Sequence, residues 1–163
     1  MQSFLHFKPF YIYNIILFIL FCVLVSPSGN FQIIYVSLYC VFHLLLIYLG
    51  VYHFRKMIYL IFFLYGLMLD LLWFNEIGPH LLVFMISIMI INILLNFLSN
   101  LNSFKIYIFL LTFQILMILF EMFFSFIIIN VKSDMMNFAY IFILSLILSY
   151  PCFLFFSKID KIK

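Results

Sequence analysis

The sequence predicts an all-α integral membrane protein, a bundle of six transmembrane helices in a single membrane domain over residues 1–163. Three observations predict it. Hydrophobic residues make up 69% of the chain and charged residues 8%, with a mean hydropathy of +1.35. Soluble domains carry about 25% charged residues, so this chain cannot clothe a water-facing surface. The apolar residues fall into six runs close to the ~20 residues that a bilayer core demands. The connectors are only a few residues long, which leaves no room for a soluble domain and makes consecutive helices antiparallel neighbours.

The first helix is expected over 10–25, closed by the turn signal SPSGN. Lys8 before an apolar run imitates a signal peptide, but no small-x-small cleavage site follows and five more runs do, so an uncleaved helix is expected. The second run, 31–50, ends at HFRK and carries His43. The third, 57–74, ends at NEIGP and carries Gly66 and Asp70. The fourth is expected over 80–98, with Gly78 as cap and Pro79 at the first helical position, where its missing N–H is harmless. The fifth, 106–129, carries Gln114, Glu121 and Ser125 and ends at NVKSD. The sixth, 135–156, leads into the tail SKIDKIK.

Cation placement predicts the orientation. With the N-terminus inside, Lys8, Arg55, Lys56, Lys105, Lys158, Lys161 and Lys163 lie on the inner side and Lys132 alone on the outer. This positive-inside bias predicts that both termini are cytoplasmic. The net charge of +3 is too small to imply a polyanionic partner. No basic patch supports nucleic-acid binding.

Few residues bear chemistry. Cys22, Cys40 and Cys152 sit in or beside apolar runs without C-x-x-C spacing and read as small apolar residues. The four histidines, His6, His43, His53 and His80, show no metal-ligand spacing. There is no H-E-x-x-H, no G-x-S-x-G and no phosphate-binding glycine loop, so no catalytic residue, metal or cofactor is assigned.

Two buried carboxylates remain to be explained. Asp70 lies one turn below the outer end of its helix, with Gly66 at i−4 on the same face, where a glycine lets another backbone approach. The free N–H groups that open the fourth helix should face Asp70, making a favourable anion site that staples the outer hairpin, and His80 could add a donor. Glu121 lies deeper, about 13 Å from its helix end at 1.5 Å per residue. Gln114 and Ser125 share its face, and His43 and Asn92 lie at a comparable depth, so a buried polar cluster of His43, Asn92, Gln114, Glu121 and Ser125 is expected.

The stretch GLMLDLLWFNEIGPHLL has Gly66, Asp70, Gly78 and His80 in a G-x-x-x-D, then Gly, then helix-start arrangement. It resembles the rod shape-determining MreD family. The closing SYPCFLFFSKIDK, with Pro151, is also similar to that family's end, and size and span count agree over the whole chain. The bulky LLWFNE after Asp70 departs from the small residues usual there, and no family motif covers Glu121. The resemblance implies a non-enzymatic component of the bacterial cell-elongation machinery. It would sit in the inner membrane, bind an MreC-like bitopic protein there, and act indirectly with MreB, RodA and a penicillin-binding transpeptidase to organise peptidoglycan synthesis and cell shape. It also implies a fold like that of the S components of energy-coupling-factor vitamin transporters. The alternative is therefore an S-component-like binder of a small vitamin-type substrate, with Asp70, Glu121 and His43 around an outward pocket. The Ala-x-x-x-Ala of such transporters is missing from helix one, where only Cys22-x-x-x-Ser26 imitates the spacing.

Overall fold

A backbone that meets no water must satisfy its own hydrogen bonds, and an apolar segment does so most simply as a helix. The computed structural model describes residues 7–25, 32–74, 78–129 and 135–160. Among them are six helices: α1 Phe7–Val25, α2 Gln32–Tyr52, α3 Lys56–Phe74, α4 Pro79–Leu98, α5 Ser103–Ile129 and α6 Met135–Asp160. Five, α2 to α6, are long and apolar enough to cross a membrane, while the apolar stretch of α1, Pro9–Val25, is shorter. The loops SPSGN and NVKSD, the NEI of NEIGPH, His6, Lys132, Lys161, Lys163 and the side chain of Lys8 lie outside the described residues.

Helix bounds differ from the apolar runs mainly at one end of the bundle. There α1 begins three residues early at Phe7, α5 three early at Ser103, and α6 runs four past Phe156 to Asp160. Hydropathy marks where hydrocarbon ends. Backbone bonding continues until a turn residue or cap stops it. The end of α4 shows such a stop. Ser99, Asn100 and Leu101 donate their N–H groups to Leu95, Phe97 and Leu98, and the Ser99 and Asn100 side chains both reach the Asn96 carbonyl.

The helices are apolar on every side, so burial is decided by position in the bundle rather than by an apolar stripe. Helix α2 is central and touches all five others. Its residues from Phe42 through Gly50 are all buried. Tyr13, Tyr48, His53 and Phe156 pack ring against ring where α1, α2 and α6 meet. We call this the terminal end. At the opposite, hairpin end, Tyr39, Trp73, His80 and Phe84 form a second aromatic group.

The most extensive helix contact is α3 against α4. A Cβ on Gly66 would stand 2.8 Å from the Cα of Leu81 and 3.3 Å from the carbonyl oxygen of His80. Only a glycine permits that approach. It brings the start of α4 against the carboxylate one turn further along α3.

Candidate functional site

Asp70 is fully buried and its carboxylate is saturated with donors. Oδ2 accepts the N–H of Gly78 at 3.0 Å and of Leu81 at 2.8 Å. Oδ1 accepts the N–H of His80 at 3.0 Å and lies 2.8 Å from its Nδ1. A carboxylate oxygen accepts, so the His80 ring proton belongs on Nδ1. Three of these donors are backbone groups at the opening of α4, which has no side-chain cap of its own and carries Pro79 at its start. Asp70 supplies that cap from α3. The positive end of the α4 dipole adds to the attraction. Phe74 stacks on the His80 ring and Trp73 meets it edge-on, at 5.7 and 5.2 Å between centroids. Gly66, Asp70, Gly78, Pro79 and His80 thus meet in one place.

Glu121 lies on α5 across from α2. Oε1 is 2.9 Å from Nε2 of His43, and Oε2 accepts the Tyr39 hydroxyl. Nδ1 of His43 is 2.9 Å from the Tyr39 carbonyl one turn earlier in α2. His43 and Glu121 are both almost completely buried. Tyr39, which was not singled out in the sequence, connects the two carboxylates. It bonds Glu121, stacks on Trp73 at 5.7 Å and faces the His80 ring edge-on at 6.4 Å.

The expected polar cluster needs three corrections. Asn92 is exposed. The inward face of α4 is Phe84, Ser87, Ile88 and Ile91, which turns Asn92 outward, and equal depth did not mean equal direction. Ser125 is only partly buried, and no bond ties it to Glu121. Gln114 is buried but belongs to another group. Its Nε2 donates to the Cys40 carbonyl at 2.9 Å and reaches the Ser145 hydroxyl at 3.4 Å, joining α5 to α2 and α6. Gln114 and Glu121 do share a face, but two turns separate them along α5.

A third carboxylate cluster was not expected from the sequence. Asp160, at the end of α6, accepts the Tyr13 hydroxyl on Oδ1 at 2.8 Å and the Tyr48 hydroxyl on Oδ2. Nε2 of His53 lies 3.0 Å from Oδ1. The available signal was Asp160 itself, the one acid in the cationic tail SKIDKIK.

Between α4 and α5 lies a cavity of about 420 Å³, lined by Ser87 and by apolar side chains including Val83, Met117, Phe120 and Phe124. No group of three or more potential metal ligands occurs among the described residues. Comparison with family models, curated proteins and solved structures finds no match to this chain.

Proposed function

We propose that the chain is an MreD-like, non-enzymatic component of the bacterial cell-elongation machinery. It would be a six-span inner-membrane protein with both termini cytoplasmic, binding an MreC-like bitopic protein. The observation that carries this reading is the meeting of Gly66, Asp70, Gly78 and His80 in one unit. A recurring G-x-x-x-D…G motif has a physical reason to exist if its glycine admits the next helix and its aspartate caps it. The start of α4 is held to α3 by these bonds, and a surface ordered beforehand loses less entropy when it docks.

The small-molecule reading asks Asp70, His43 and Glu121 to face a ligand. All three bond within the protein instead. The test is recovery of the tagged protein from native membranes in mild detergent, with mass spectrometry of proteins and small molecules. An MreC-like partner supports the scaffold reading. Transport ATPases or a stoichiometric small ligand would replace it with the transporter reading.

A further inference from the structure

The cavity between α4 and α5 is a slot. Its lining positions recur with helical spacing, from Val83 to Leu94 on α4 and from Phe109 to Phe124 on α5, so each helix gives it one face. At 1.5 Å per residue those stretches run about 16 and 22 Å along the axes. Along α4 the slot stops about 6 Å short of both Pro79 and Leu98. Spread over its length, a volume of about 420 Å³ leaves a cross-section of roughly 20–25 Å². A helix with its side chains is about 10–12 Å wide and would need about 80–110 Å². Carbon atoms pack about 3.5–4.0 Å from their neighbours, so a chain one carbon wide fits where a helix does not.

Rim and floor differ. Ile86, Ile90, Leu116 and Phe120 are exposed and form the rim, whereas Val83, Ser87 and Met117 are buried beneath them. Helices α4 and α5 are both long and apolar enough to cross a membrane, so the mouth opens on hydrocarbon and not on water. Among the described residues, Ser87 is the one polar side chain of the lining, and its hydroxyl has no hydrogen-bond partner there. That hydroxyl marks the floor as open space rather than packed protein. A bound water needs two to four polar partners, and an apolar cavity without them stays dry and takes apolar guests.

We propose that this slot is a binding site for one acyl chain of a membrane phospholipid, laid between α4 and α5 over the floor of Val83, Ser87 and Met117. The headgroup stays at the membrane surface, because the slot ends about one helical turn inside each end of α4. Ser87 gives the slot its depth by being small, and its hydroxyl makes no bond to the chain. Seating the chain requires no partner protein.

The test places the full chain in phosphatidylcholine vesicles in which a small share of the lipid carries a photoactivatable diazirine in mid-chain. Adducts are mapped by mass spectrometry, in parallel with native membranes given the same lipid. Ile93, 76% exposed, should be labelled by bulk lipid in any case and serves as the reference. The wild type should also be labelled at Ser87 and Met117, which are buried from bulk lipid. Ser87→Phe fills the floor, and labelling at Met117 relative to Ile93 should fall at least about tenfold. Ser87→Ala removes only the unpartnered hydroxyl and should keep the wild-type labelling. Adducts confined to outward residues overturn the proposal, as does a Ser87→Phe protein labelled like the wild type. A loss with Ser87→Ala as large as with Ser87→Phe also overturns it, because the guest then carries a polar group. So does floor labelling that appears in vesicles but not in native membranes, where another protein then covers the mouth. If Ser87→Phe does not fold, the wild-type and Ser87→Ala maps decide alone.

Discussion

Asp70 and His80 meet twice on one oxygen: Oδ1 takes both the backbone N–H and the ring Nδ1–H of the same residue, at 3.0 and 2.8 Å. The helix start and the side chain that follows it are held by a single carboxylate. Asp70→Asn replaces one acceptor oxygen with an amide that faces donors. Turned toward Gly78 and Leu81, the amide leaves two N–H groups without a partner; turned toward His80, it leaves the backbone N–H, and the ring must change tautomer to accept on Nδ1. Hydrogen bonds to a charged group contribute about 1.5–3 kcal/mol, and the loss should be of order 3 kcal/mol. Trp73 is the sole tryptophan and sits 5.2 Å from the His80 ring, so its fluorescence reports this hairpin during thermal unfolding. An Asp70→Asn protein that melts with the wild type would remove the capping role.

The two helical glycines in contact with α4 should respond differently to the same change. At Gly66 a Cβ meets Leu81 backbone at 2.8 Å, and backbone cannot rotate away. At Gly50 the nearest atom is the Cδ1 of Ile91 at 3.1 Å, the far end of a flexible side chain. Alanine gains about 1 kcal/mol of helix propensity at either site. Overpacking costs typically 1–3 kcal/mol. Gly66→Ala should therefore destabilise by about 1–2 kcal/mol, whereas Gly50→Ala should fall within about 0.5 kcal/mol of wild type. Paired melting curves decide it, and equal shifts would contradict the close approach of α3 and α4.

What could be read from the sequence was local pairing and depth. Asp70 and His80 are ten residues apart across a short turn, so helix length alone brings them together. His43 and Glu121 are 78 residues apart, yet counting inward from the same end of the bundle puts them level. Direction around a helix could not be read. In a soluble helix an apolar stripe marks the inner face, but α4 has apolar residues on every side, and nothing in its sequence separates buried Ile88 and Ile91 from exposed Met89 and Ile93. That is why Asn92 was placed inside. Asp160 was missed for another reason. Its neighbours Lys158, Lys161 and Lys163 read as a topological signal, and its partners Tyr13, Tyr48 and His53 are more than a hundred residues away.

The outward position of Asn92 gives a direct check. A polar amide on an apolar outer face contributes no bond to the bundle, so Asn92→Leu should leave stability within about 0.5 kcal/mol of wild type. Gln114→Leu should instead lose the bonds to Cys40 and Ser145 and cost roughly 1–2 kcal/mol. The orientation of the Gln114 amide is fixed by the Cys40 carbonyl, which accepts and cannot donate. If Asn92→Leu proved the more damaging of the two in thermal unfolding, the facing of α4 would have to be revised.

The terminal end is tied by Asp160, and its loss should act locally. Tyr13 reaches both the Phe156 carbonyl and Asp160, at 2.7 and 2.8 Å, while Tyr48 on α2 and His53 just past its end hold the same carboxylate. The Asp160 side chain is 27% exposed, so water offsets part of any lost bond. Asp160→Ala should lower the free energy of opening the last turn of α6 by about 1–2 kcal/mol. Each 1.4 kcal/mol is a factor of ten, so amide exchange over 156–160 should quicken by roughly five- to thirtyfold. Trp73 fluorescence should not change, because the hairpin end shares none of these bonds. Tyr48→Phe removes one of the three side-chain donors and should produce a smaller acceleration in the same amides. Unchanged exchange in both variants would mean that aromatic packing of Tyr13, Tyr48 and Phe156 alone holds α6 against α1 and α2.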